Sequence, residues 1–230
     1  MKQQIVLKWL GGWVALVVLS ILVTEGIHFA TADRVPNEMQ ITLALCYSLL
    51  AIFLFPAGSD HKHSVSPMLL WSGMSTVGFL IITLFPQYYI HGNQSLGLAG
   101  GVFVLLLLFG SLFSLIQTYT PGHANSMTLF TLVSTAIIAA PLYLGVVAEA
   151  TSNQAIIDSI IAVSPISYLA GIMDYDYLRS SWFYQHMPYA GLRFNYTASG
   201  MLTVCYLFTT FTLIAIKMLT NRLKLRTLGK

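Results

Sequence analysis

Apolar residues run in six long blocks, at about 5–24, 39–57, 67–87, 96–118, 127–149 and 197–219. Each is close to the roughly 20 residues a helix needs to cross about 30 Å of hydrocarbon. The separators are short and polar or carry Pro and Gly: 32–38 (ADRVPNE), 58–64 (GSDHKHS), 91–94 (HGNQ) and 120–125 (TPGHAN). A helix satisfies its own backbone in lipid, whereas strands would need a closed barrel with alternating polarity, which this pattern lacks. The prediction is an all-α integral membrane protein, a single polytopic domain over 1–230 with six transmembrane helices.

The first block has a second reading. Lys2 and Lys8, an apolar core over 9–23 and the Ala30-Thr31-Ala32 triplet resemble a cleavable signal peptide. The apolar stretch is long for that role, so a retained span is expected.

The stretch 150–196 breaks the rhythm of minimal loops. It opens with an amphipathic signal, Ile156, Ile157, Ile160 and Ile161 against Gln154, Asp158 and Ser159. Pro165 ends it, and an aromatic, mixed-charge segment follows. A loop this long among short ones predicts function, with a short outer interfacial helix between spans five and six.

Composition agrees with the pattern. Of the 230 residues 56% are hydrophobic and 8% charged, against roughly 25% charged in soluble domains. A water-soluble globular protein is excluded, because so few charges cannot cover a folded surface. Membrane lipid is an expected partner. The net charge of +3 with scattered basic residues gives no footprint for nucleic acid. Orientation follows from the cations: Lys2, Lys8, Lys62, Lys217, Arg222, Lys224, Arg226 and Lys230 fall on one side, Arg34, Arg179 and Arg193 on the other. The positive-inside rule therefore places both termini in the cytoplasm.

Candidate chemistry is sparse. No GxxxxGK[ST] occurs, so nucleotide energy would come from a partner. His28, His61, His63, His91, His123 and His186 all fall in loops or at span edges, which disfavours haem or metal. Cys46 and Cys205 lack metal-ligand spacing and read as packing residues. No Ser/His, paired Asp or HExxH set sits at membrane depth, and no motif places a base beside a buried Ser. Glu25 and Glu149 lie only at span ends, which disfavours ion coupling. No catalytic residue, cofactor or metal is expected in this chain. Gly97 and Gly101 form a GxxxG, and Ser72, Gly73, Ser75 and Gly78 offer close helix approach. Pro141 with Gly145 predicts a kink or hinge in the fifth span.

The order of elements then becomes informative. Pro141-Leu142-Tyr143-Leu144-Gly145 in the fifth span leads through a short apolar helix to Ser164-Pro165-Ile166-Ser167-Tyr168-Leu169, a long outer segment and a sixth span. This resembles the transmembrane permease subunit of type-2 ABC exporters. The resemblance implies a dimer, homomeric or heteromeric, working with a separate ATPase subunit that carries ATP and Mg. It implies a bacterial cytoplasmic (inner) membrane and a hydrophobic or amphipathic substrate, which an uncharged interior suits. It also makes the loop with Asp60, His61, Lys62 and His63 the ATPase-coupling loop, and sets Ile157, Ile161, Pro165 and Tyr168 at an outer gate or exit.

Two other classes remain open. One is a non-catalytic structural subunit of a larger membrane complex, binding through 174–195. The other is a membrane enzyme built on Asp174, Asp176, Arg179, His186 and Arg193, residues that otherwise form salt bridges and hydrogen bonds in an ordered loop.

Overall fold

A computed structural model of the chain describes residues 2–31, 36–55, 66–83, 92–144, 147, 153–179 and 197–228, and among these every regular element is helical. The long helices are α1 (Lys2–Thr31), α2 (Pro36–Phe53), α3 (Ser66–Ile82), α4 (Gly92–Tyr119) and α5 (His123–Ile138). A 3-10 turn at Ala140–Tyr143 follows, then α6 (Gln154–Val163), α7 (Pro165–Ile172), a 3-10 turn at Tyr177–Arg179 and α8 (Ser199–Leu228). Each of the six apolar blocks contains one of these helices among its described residues. Within them Trp9–Gly26, Gln94–Tyr119 and Ser199–Leu223 are long and apolar enough to cross a membrane, and α6 with α7 would make a fourth if taken as one bent span. The chain is a helical membrane protein. The described parts of α2, α3 and α5, at 18, 17 and 16 residues, are shorter.

Helix α4 is the centre of the bundle: 67% of its apolar window is buried, against 17% for α1 and 22% for α8. It packs against α2, α3, α5, α7 and α8, with Leu98, Val102, Leu105, Phe109 and Phe113 inside. The faces α1 and α8 leave open are apolar, including Leu22, Phe208 and Phe211. In a helical membrane protein such faces are covered by lipid or by another helix.

Side-chain bonds fix the helix directions. Tyr47 donates to the Ser75 carbonyl at 2.6 Å and Trp71 to the Ala51 carbonyl at 2.7 Å, so α2 and α3 are antiparallel. Lys217 meets Ser114, and Tyr119 pairs with Thr220 at 2.8 Å, so α4 and α8 run parallel. Between α4 and α5 the chain reverses at Gly122, whose φ of 86° lies in the left-handed region that favours glycine. The bundle therefore has one end with the α4–α5 turn and the C-terminal part of α8. The other carries the starts of α2, α4 and α8. We call the first the basic end, after Arg222 and its neighbours.

The fifth block departs from a continuous span. Its α-helix stops at Ile138, and Pro141, near the start of the 3-10 turn, is buried. Proline has no N–H for the α-helical ladder and clashes with the preceding turn, so the helix gives way there. Gly145, the other half of the expected hinge, lies outside the described residues.

Candidate functional site: the bent helix pair

Helices α6 and α7 meet at 79°. Asn153 caps α6 by accepting from the Ala155 N–H at 3.0 Å. Ser164 ends α6 and begins α7, with extended backbone (φ −75°, ψ 127°) as the residue before proline prefers. Pro165 then occupies a first-turn position where its missing N–H costs nothing.

A break of this kind leaves carbonyls without helical partners, which is tolerated at membrane depth only where protein satisfies them. Helix α8 does so. The Tyr206 hydroxyl reaches the Val163 carbonyl at 3.0 Å and that of Ala162 at 3.4 Å, both in the last turn of α6. Its ring packs edge-on against Tyr168, centroids 4.9 Å apart, and the Tyr168 hydroxyl pairs with Thr203 at 3.0 Å. Ser164 donates to the Ile138 carbonyl at 3.4 Å, joining the break to the end of α5.

The expected gate residues Ile157, Ile161, Pro165 and Tyr168 are all buried around this break. Ile156 is the exception on the predicted apolar face, being exposed. Against α4 the approach is close because of glycine: a Cβ at Gly101 would lie 2.5 Å from Ile172 Cδ1 and 3.3 Å from Leu169 Cδ2. Gly101 thus supplies the close contact that the GxxxG spacing suggests.

Beyond α7 the chain turns through Asp174, at φ 52°. The Tyr175 N–H bonds the Ala170 carbonyl at 2.9 Å, the long bond of a Schellman motif in which Asp174 takes the left-handed position usually held by glycine. The turn delivers Tyr175 to Glu38 in the first turn of α2, hydroxyl to carboxylate at 2.7 Å. Tyr177 pairs with Ser167 at 2.9 Å. Burial, the bond to Glu38 and the charges of Glu38 and Asp176 all push the Tyr175 phenol up. Burial also raises Tyr177; the Ser167 bond opposes this and the Asp176 charge adds to it.

Of the polar outer residues weighed as an enzyme site, Asp176 and Arg179 form an exposed ion pair at 3.2 Å, and Asp174 is exposed. His186 and Arg193 lie outside the described residues. So do Asp60, His61, Lys62 and His63 of the expected coupling loop. Among the described residues no three His, Cys, Asp or Glu side chains come together as metal ligands.

Two features escaped the sequence. Tyr206, which closes the α6–α7 break, belongs to a polar stripe on α8 of Thr203, Tyr206, Thr210 and Lys217; that helical spacing was the available signal. The second is Lys217 itself. Instead of reaching to the surface it is 7% exposed, its amine on the Ser114 hydroxyl 103 residues earlier. A base beside a serine has the makings of a nucleophilic pair. Ser114 sits inside α4, however, where backbone N–H groups are committed to the helix and provide no oxyanion site. In comparisons with protein-family models, with curated proteins and with solved structures, nothing matches the chain.

Proposed function

We propose that the chain is the permease subunit of an ABC-type exporter, with six spans, both termini cytoplasmic and a separate ATPase subunit supplying energy. The bent pair is the observation that supports this reading most. A fifth helix that stops short, capped by two short helices whose break is closed by Tyr206 and Tyr168, forms a removable plug at one end of an apolar bundle. The bonds across its break are neutral hydroxyl bonds, each worth about 0.6 kcal/mol and at most about 1.7 in membrane proteins, while Tyr175, beyond α7, adds one bond to the Glu38 carboxylate. A plug held this way can be displaced by the free energy of nucleotide binding in a partner. The apolar packing around it suits a hydrophobic or amphipathic cargo, which needs few fixed charges along its path. Its placement in the bacterial inner membrane is part of the same proposal.

The test is affinity purification of the tagged full chain from its native membrane in mild detergent, followed by mass spectrometry. A co-purifying ATPase with a Walker motif is expected. Repeated recovery of a multi-subunit assembly without one would overturn the exporter reading and favour a structural subunit.

A further inference from the structure

We propose that Lys217 and Ser114 form a binding site for the phosphate of an anionic phospholipid headgroup at the basic end of the bundle. The site goes beyond the exporter reading and does not depend on it.

The starting observation is a buried cation without a counter-charge. Lys217 is 7% exposed, its amine meets the neutral Ser114 hydroxyl, and no carboxylate lies within ion-pair distance of it among the described residues. An ammonium has three donors and is costly to hold in apolar surroundings unless paired. One hydroxyl uses one donor and cancels no charge. A phosphate oxygen would supply both the acceptor and the missing negative charge.

The surroundings favour lipid as the source of that phosphate. Lys217 lies three residues, about 4.5 Å along the helix, before Thr220, whose hydroxyl pairs with Tyr119 in the last turn of α4. It sits six residues, about 9 Å along the helix, before the end of the apolar stretch Ser199–Leu223, a distance a lysine side chain reaching outward can largely cover. Ile216, Met218 and Leu219 beside it are exposed and apolar, a surface on which acyl chains can lie. Arg222, also exposed, adds positive charge one turn further out. A free phosphate would need none of the apolar surface. The four-carbon lysine stem lets the amine turn toward the edge of the α4–α8 seam, where a phosphate oxygen can take the donors that Ser114 leaves unused.

The test uses the full chain in nanodiscs of equimolar phosphatidylglycerol and phosphatidylcholine, with retained lipid counted by native mass spectrometry. The wild-type chain is expected to retain phosphatidylglycerol above its bulk share. K217Q should lower that retention by roughly fivefold, the effect of one basic residue at an anionic surface. K217R should preserve it, and R222Q should reduce it less than K217Q. No enrichment on the wild type, a measurement that requires no variant to fold, would overturn the proposal. So would equal retention by a folded K217Q. A third arm adds inorganic phosphate to lipid-free protein in detergent: a Lys217-dependent rise in melting temperature there would assign the site to a soluble anion and overturn the lipid assignment.

Discussion

The phenol of Tyr175 donates to the carboxylate of Glu38 at 2.7 Å, linking residues 137 positions apart. The bond ties the segment after α7 to the first turn of α2, where a carboxylate is favoured by the helix dipole. Y175F should therefore lower stability by about 1.5–3 kcal/mol, the range for hydrogen bonds to charged groups, and raise amide exchange over 173–179. Denaturant unfolding and hydrogen exchange check both.

The same bond carries a pH dependence. The folded-state pKa of Tyr175 is raised above its ordinary value of 10.0, so its contribution to stability is fully present below pH 10 and is lost as pH rises through the folded value. Alkaline unfolding of the wild type should begin above pH 10, and Y175F should remove part of that sensitivity. The phenolate absorbance of the two proteins across this range is the measurement.

Asp174 occupies the left-handed position after α7, which costs an L-residue about 1–2 kcal/mol relative to glycine. Asp is among the residues that tolerate it best, so D174G should gain no more than about 1 kcal/mol, while D174V should lose stability. Paired thermal melts distinguish the two directions.

Gly78 is required by a close approach. A Cβ there would lie 2.5 Å from the Tyr47 hydroxyl and 2.7 Å from Trp13 Nε1, both anchored on neighbouring carbonyls of α3. G78A should destabilise by about 1–3 kcal/mol through overpacking, whereas G73A, with nothing within 4 Å of its new methyl, should not. Adding Y47F to G78A should recover part of the loss in a double-mutant cycle.

Gly101 sets the distance between α4 and α7. G101L should push Ile172 and Leu169 away, increasing amide exchange over Pro165–Ile172 more than in α1. G200L, at an open glycine, serves as the control. Equal exchange in the two variants would mean that α7 does not rest on this contact.

Sidedness is testable directly. Reporter fusions at residues 62, 121 and 228 should report one side of the membrane, and those at 92 and 176 the other. A fusion at 92 that reported the side of 121 would remove the six-span topology.

The apolar blocks were enough to determine the helices and the membrane setting. An uninterrupted run of apolar side chains allows few other solutions in lipid, and Pro165 marked the break between α6 and α7 because proline constrains the backbone of its own neighbours. The amphipathic signal over 153–163 likewise located α6, since Ile157 and Ile161 fall on one helical face. Which helix is central was only partly legible: α4 has the highest mean hydropathy, 2.4 against 1.7 for α1 and 1.8 for α8, but only packing shows that it is enclosed. Long-range partners were hidden. Tyr206 on Val163, Tyr175 on Glu38 and Lys217 on Ser114 join residues 43, 137 and 103 positions apart. Such pairs depend on how helices are rotated and stacked, and local hydrophobic periodicity carries no record of the neighbour a given face will meet.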